Sequence, residues 1–580
     1  MNKLKPSINN EKIPDGTKPK LIDIIDLEDN SYLIVCGCLS STQPEIYSSD
    51  VKIKGVQWFN GNGLLIEINF SDRKNKKISI DFIWPGEKEI IKISHFLFKM
   101  FLCRNMSESK RHIANGIIVL KQSGLRKGIN TIRSYFTGND NSNYSKWLKE
   151  KGLDKVKSIT QFQNDKYRWV NCDGSEFICN GTEQVVDSLL KEKFCNRDLP
   201  SIIYSDEDEL NRGEFREPKF RPDFDRVLFE DIGYIDGPIL IRWDIRANEN
   251  KLNEFILKEG DKGKVHHIPK VLVHRTKQII AMGGLINRLG ICDSETDENE
   301  QKDKISIIIP NKDHVEDLRC CIDSILNNST YRNFEVIIVE NNSIEDSTFS
   351  YYDEIIGEDN IKVIKYPGSF NYSAINNYAA SQASGDFLLL LNNDTEIVNP
   401  DSIANMHKLC KRLDTGVVGA KLLYPDGTIQ HAGVYIGVNG IADHVWKGYP
   451  SDALVNMNYL NVTHQVSAIT GACLMVKKSL FDKFGGLNEN LEVAFNDIDF
   501  CLRLQEAGYK NIYTPGAVLT HYESVSRGAD LTPEKWRRFR RETGYMRARW
   551  NRILTEGDPF YNSNLTCIGT EGTLKKRYED

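Results

Sequence analysis

Two stretches, ISIIIPNKD (Ile305–Asp313) and EVIIVENNS (Glu335–Ser343), decide the fold. Their cores, Ile305–Ile309 and Glu335–Val339, are nearly continuous apolar, β-branched runs that stop abruptly at polar residues. Strands covered on both faces of a parallel sheet read this way, because neither face meets water. Between them, Asp317–Leu326 sets Leu318, Cys321, Ile322, Ile325 and Leu326 at helical spacing. The alternation continues through a strand at Lys362–Lys365, a helix at Ser373–Ala383 and a strand at Phe387–Leu391. The spacing predicts a doubly wound, Rossmann-like α/β domain.

Such sheets bind ligands at the carboxyl ends of their strands. Three ends are chemically alike: Pro310-Asn311-Lys312-Asp313, Glu340-Asn341-Asn342-Ser343 and Asn392-Asn393-Asp394. Carboxylate and amide oxygens gathered there suit a hard divalent cation. Asn and Asp also simply make turns after strands, and it is the three ends in this order that favour a site. Downstream, Asp497 and Asp499 open a helix over Phe500–Ala507, where capping competes with catalysis as their role. His521 follows the run Asn511–Leu519 and reads equally well as a metal ligand or a surface histidine.

Outward from this core, the segments become less regular. Residues 1–20 read as a disordered tail, and 21–140 as a β-rich domain with strands at Ser31–Cys38, Val51–Phe59, Gly63–Phe70 and Lys77–Phe82. His95–Cys103 is an apolar core segment, and the polar Thr137–Ser145 reads as a linker. A further module spans 141–292, an acidic linker 293–304, the α/β domain 305–530, and a basic helix with a tail 531–580. Within 141–292, Asp206–Glu209 reads as a solvated acidic turn.

Order and spacing of ISIIIPNKD, EVIIVENNS, PGSFNYSAINN, LLLLNNDTE, VGAKLLYPDGTIQHAG, SAITGACLMVKKSLFDKFGGLNE, VAFNDIDFCLRLQEAGY and THYESVSRG resemble glycosyltransferase family 2 over about 250 residues. The family's nucleotide-sugar-dependent GT-A fold and its bacterial surface-polysaccharide and rhamnosyltransferase-like members are the nearest likeness. The resemblance implies a donor pocket of Pro310, Asn311, Asp313, Glu340, Asn341, Asn376, Asn392 and Asn393. It implies Asp394 and His521 as ligands of Mn²⁺ or Mg²⁺, and Asp497 as the catalytic base. Gly471, Ala472, Trp446 and Asp499 fall on the acceptor side. Asn392 stands where the family's D-x-D begins with an acid, and Asn496 where it has Glu. The 141–292 module resembles the first of two tandem family-2 modules, shortened and without its catalytic pieces, so one active site is expected rather than two.

The 580 residues carry a net charge of −6, with 40% hydrophobic and 27% charged residues. That excludes general disorder and leaves no whole-chain positive charge for nucleic acid. With 13 scattered cysteines, no C-x-x-C pair and no long apolar run, the sequence points to a cytoplasmic protein without zinc or disulfide framework. The net charge conceals Glu534–Leu554, where eight basic residues face two acidic ones. This amphipathic helix is a candidate for peripheral membrane contact at the inner face, although its aromatic stripe could equally pack on a domain. The expected activity is inverting transfer from a nucleotide sugar (UDP- or dTDP-linked) to a growing glycan, lipid-linked or protein acceptor. A non-catalytic glycan-binding or assembly subunit and a nucleotidyltransferase are the alternatives.

Overall fold

The extended backbone of Ser31–Gly37, Gly63–Asn69 and Lys77–Trp84 sends every second side chain to one side, and in the first two both faces are apolar. In the computed structural model these strands belong to two stacked sheets. One runs in the order Lys20–Asp26, Ser31–Gly37, Gly63–Asn69, Lys52–Phe59, and the other in the order Glu45–Tyr47, Lys77–Trp84, Glu87–Ser94. Tyr32, Ile34, Cys36, Leu64, Ile66, Ile68, Ile78, Ile80 and Phe82 form the core between them. The described residues are 20–26, 31–37, 43–48, 51–59, 63–69, 77–84, 87–94, 144, 147–148, 151, 165–171, 176–179, 182–194, 198–211, 214–245, 251–277, 302–357, 360–522, 532–568 and 573–575. The expected tail before residue 20, the apolar segment 95–103, most of the 137–145 linker and the acidic connector up to 301 lie outside them.

The opposite face of the first sheet presents Leu33, Val35, Phe59 and Leu65, and it is covered by the helix Pro533–Arg549 through Tyr545 and Ala548. Contact is close enough that a Cβ on Gly63 would stand 2.7 Å from the Ala548 carbonyl oxygen. The basic helix therefore does pack part of its apolar face on a domain, and its C-terminal half is where the packing lies. Met546 is fully buried and Trp550 nearly so, whereas Trp536 and Phe539 remain 40% and 38% exposed. Among the described residues no helix is long and apolar enough to cross a membrane. This helix and residues 490–495 belong to the same compact unit as the β-rich segment.

The second unit comprises residues 140–489, 496–526 and 558–580, and holds, besides the two-stranded pairing of Val434–Ile436 with Ala442–His444, two large sheets. The smaller has the order Tyr167–Asn171, Pro238–Arg242, Ile202–Asn211, Val265–Lys277, Glu176–Cys179. Here the expected acidic turn is overturned: Asp206, Glu207 and Asp208 lie inside the strand Ile202–Asn211 and are at most 2% exposed. Their counter-charges come from elsewhere in the chain. Asp206 accepts from His267 Nε2 and from the Asn562 and Asn564 amides, each at 2.9 Å. Glu207 pairs with Arg221 and Arg275, and Asp208 with His274 and the Tyr144 hydroxyl. Burial pushes the Glu207 carboxyl up, but the two arginines outweigh it and hold it below its ordinary value.

The larger, ten-stranded sheet is the expected α/β domain. Ile361–Lys365, Phe334–Glu340, Ile305–Asn311 and Phe387–Leu391 lie side by side and parallel. Cys473–Lys477 joins antiparallel to the last of these, followed by Thr415–Leu423, Lys510–His521 and Thr395–Ile397. All of Phe334–Glu340 and Phe387–Leu391 is buried, as continuous apolar runs demand. The two sheets meet through Asp225, which caps the helix Arg226–Ile232 at the Leu228 N–H and also accepts from the backbone and side chain of Gln465.

Nearby, His464 is fully buried; its Nδ1 bonds the Val462 carbonyl, so Nε2 is the acceptor for the Tyr435 hydroxyl at 3.1 Å. Burial pushes its pKa down from 6.5 to about 4. A folded-state value below the unfolded one favours the neutral ring, so its contribution is intact above pH 6.5 and is lost as pH falls toward 4. We expect wild type to lose about 2 kcal/mol relative to His464→Gln between about pH 6.5 and 5, at about 1.4 kcal/mol per pH unit. Urea melts at both pH values check this, and parallel curves for the two proteins would refute it.

Candidate functional site

Parallel register aligns the polar strand ends. Asn311 is directly opposite Glu340, and Thr395 opposite His521. The Asn392 N–H bonds the Ala472 carbonyl at 3.0 Å, which seats Gly471-Ala472 beside the Asn392-Asn393-Asp394 turn. Most of the sequence-predicted residues are thereby brought to one edge.

Glu340 is 4% exposed and fully engaged: Oε1 accepts the Ser343 N–H at 2.6 Å, and Oε2 accepts the hydroxyls of Ser343 at 2.5 Å and Tyr352 at 2.8 Å. Asn311 donates to Tyr352 and accepts from Asn393. Asp313 turns back on the loop, its Oδ1 accepting from the N–H groups of Ile344 and Glu345. Asn341 donates to the Gly368 carbonyl. Pro310 is half-buried in the strand. Asn376 is completely buried in the helix Tyr372–Gln382, donating to the Tyr372 carbonyl, and its Oδ1 has no hydrogen-bond partner.

Asp394 and His521 form the second group. Gln430 donates its amide N–H to the His521 carbonyl, so its Oε1 faces His521 Nδ1 at 2.7 Å and takes that ring proton. Nε2 is left as an acceptor, 3.1 Å from Asp394 Oδ1 and 3.3 Å from the Asn392 amide nitrogen. Two lone-pair atoms at such a distance repel unless a cation or a proton lies between them. The donor set fits a hard or borderline cation, and a ring nitrogen fixed from behind by Gln430 is the arrangement metal-binding histidines use. Among the described residues no three His, Cys, Asp or Glu side chains gather as a cage. A cation here would take its remaining oxygens from phosphate and water, as Mg²⁺ does.

Asp497 opens the helix Asn496–Glu506. Its Oδ2 accepts the Gly471 N–H at 2.7 Å and its Oδ1 the Ile498 N–H at 2.8 Å. The Gly471 carbonyl accepts from Tyr372 at 2.8 Å, so this residue is held from both of its peptide groups, between two helices, and fixes the carboxylate. Amide donors stabilise the ionised form, which a proton acceptor needs.

Two expected acceptor-side residues are placed elsewhere. Trp446 is 3% exposed and packs against Tyr435 and Tyr459, with ring centroids at 6.0 and 5.7 Å, so it belongs to an aromatic core. Asp499 is fully buried and pairs with Arg503 at 2.9 Å. Arg503 in turn donates to the carbonyls of Phe484 at 2.6 Å and Gly486 at 2.7 Å. Gly485 and Gly486 have φ of 74° and 68°, the left-handed region that glycine adopts without strain. Tyr352 and Gln430 escaped the sequence reading. Gln430 sits in the quoted TIQHAG, and the only cue to Tyr352 is a polar tip on the buried face of a helix.

Residues 306–485 match the family described as Glycosyl transferase family 2. Similarity extends to an uncharacterized protein, y4gI, of Sinorhizobium fredii, at 38% identity over 63% of this chain and 45% of that protein. The O-antigen biosynthesis protein RfbC of Myxococcus xanthus is 31% identical over 66% of this chain and 32% of its own length. An N-acetylglucosaminyl-diphospho-decaprenol L-rhamnosyltransferase of Mycobacterium tuberculosis is 26% identical over 25% of this chain and 50% of its own. The chain thus spans less than half the length of the first two of these relatives.

Arg503→Met should destabilise the protein by about 3 kcal/mol, because it leaves the Asp499 carboxylate buried without its partner. Denaturant melts measure this. Unchanged stability with weakened acceptor binding would instead return Asp499 to the acceptor side.

Proposed function

We propose that this chain, whose residues 306–485 match the glycosyl transferase family 2, transfers a sugar from a nucleotide-sugar donor, UDP- or dTDP-linked, to a growing surface glycan or glycoprotein, with inversion. The observation that carries the reading is the convergence of Asp394, His521 and the clamped Asp497 on the edge that also holds Asn311 and Glu340.

The nucleoside end of the donor would lie over Pro310, Asn311, Glu340 and Asn341, and the diphosphate over Asn392–Asp394. Asp394 and His521 would hold Mn²⁺ or Mg²⁺, which when bound offsets the negative charge left on the departing diphosphate. Asp497 accepts the proton of the acceptor hydroxyl as that oxygen attacks the anomeric carbon from the face opposite the diphosphate. The sugar–phosphate bond breaks and its electron pair leaves with the nucleoside diphosphate. Gly471, through its N–H, and Tyr372 behind it keep Asp497 aimed.

Asp497→Asn should retain nucleoside-diphosphate binding and lose transfer by about a thousandfold or more, in keeping with removal of a general base. Asp394→Ala should abolish the dependence of binding on Mn²⁺. Near-normal turnover by Asp497→Asn would remove it as base, and a protein that neither binds nucleotide sugars nor hydrolyses them would favour the glycan-binding alternative.

Peripheral association with the inner face of a membrane is supported by Trp536 and Phe539, exposed on a helix rich in arginine, with the Arg540 guanidinium 5.7 Å from the Trp536 ring centroid. Vesicles containing phosphatidylserine should retain the protein at low salt and lose it on Trp536→Ser with Phe539→Ser. Equal recovery from neutral vesicles would contradict a charge-guided contact.

A further inference from the structure

Tyr352 lies on the helix Asp346–Ile355, 4% exposed, and its hydroxyl joins the two halves of the edge just described. Asn393 Nδ2 donates to Asn311 Oδ1 at 2.7 Å, Asn311 Nδ2 donates to Tyr352 Oη at 2.8 Å, and Tyr352 donates to Glu340 Oε2 at 2.8 Å. The direction of every bond follows from one end. Glu340 as a carboxylate can only accept, so the single phenolic proton must go to it, and Tyr352 can then only accept from Asn311. The Asn311 amide is thereby oriented with its oxygen toward Asn393, the residue before Asp394. Burial pushes the phenol of Tyr352 well above its ordinary value, so it remains protonated and donating. The relay is anchored at its far end by Ser343, whose N–H and Oγ both bond Glu340 while its Oγ accepts the Asp313 N–H at 2.9 Å.

We propose that Tyr352 is a positioning residue that makes the nucleoside pocket at Glu340 and the diphosphate turn at Asn393–Asp394 one hydrogen-bonded unit, so that recognising the base and seating the diphosphate are coupled. The inference rests on the donor-site reading above. It follows that the hydroxyl contributes to nucleotide selectivity without touching the nucleotide. Loss of the hydroxyl removes the shorter of the two bonds that the Asn311 amide donates, leaves it only the Asp313 carbonyl at 3.2 Å, and so loosens the acceptor offered to the Asn393 amide.

The test is a double-mutant cycle on nucleoside-diphosphate affinity with Mn²⁺ present, read by calorimetry with UDP, dTDP and GDP. Tyr352→Phe and Asn393→Ala should each weaken the preferred nucleotide about tenfold, and the double variant about tenfold rather than a hundredfold, because both cut the same relay. Preference among the three bases should fall with Tyr352→Phe, whereas Tyr351→Phe, on the same helix but outside the relay, should leave it unchanged. Should Tyr352→Phe fail to fold, Glu340→Gln with Asn393→Ala reads the same coupling from the two ends. Effects that multiply, or a base preference untouched by loss of the hydroxyl, overturn the relay and leave the donor site standing. A wild-type protein that binds none of the three nucleotides overturns the donor-site reading itself, and the relay with it.

Discussion

A sheet buried on both faces can carry polar side chains only where its strands stop. That constraint organises the α/β domain. Apart from Ser306 and Glu335, which bond each other near the strand starts, Ile305–Asn311, Phe334–Glu340 and Phe387–Leu391 are apolar until their last residues and run in the same direction, so Asn311, Glu340 and Asn392–Asp394 emerge together on one edge. Close packing below that edge leaves the emerging groups few neighbours except one another, and they bond accordingly. Helices that cover the sheet then add single polar tips, Tyr352 from one and Tyr372 from another, exactly at the level of the strand ends.

What could be read in the residues follows from how local the determining interaction is. Strands of the α/β domain were legible because burial on both faces writes itself into consecutive residues. The likeness to family 2 was legible because its motifs are contiguous, and the match to residues 306–485 agrees with it. Charge patterns were misleading wherever partners are remote. Asp206–Glu209 looks solvated as a tetrapeptide, yet Arg221, Arg275, His267 and His274 bury it. Asp499 resembles its neighbour Asp497 in sequence, but the two point into different surroundings, and only the arginine one helical turn later separates them. Trp446 suits a sugar face by type and a core by its neighbours, and no single residue announces which.

Asparagine recurs where a family relative has an acid. Asn392 faces His521, and the buried Asn496 accepts the Asp497 N–H at 2.8 Å. An amide both donates and accepts, so it can orient a neighbouring imidazole or carboxylate without adding charge to it. Neutral amides beside Asp394, His521 and Asp497 thus orient these groups without adding further negative charge to the edge.

The distant partners of Asp206 also set an order of assembly. Asn562 and Asn564 lie 356 and 358 residues after it, and Trp147 bonds the Lys575 carbonyl across 428 residues. During synthesis the strand Ile202–Asn211 leaves the ribosome early, with its charged side chains facing an interior that does not yet exist. An ionised group enclosed without its partners costs several kcal/mol, so this strand cannot close its core until Asn562 and Asn564 arrive. The parallel sheet that begins at Ile305 needs no such visitor and can consolidate first. The early-made module is therefore finished late, and a chain interrupted after residue 530 would carry a completed parallel sheet and a module still open to water.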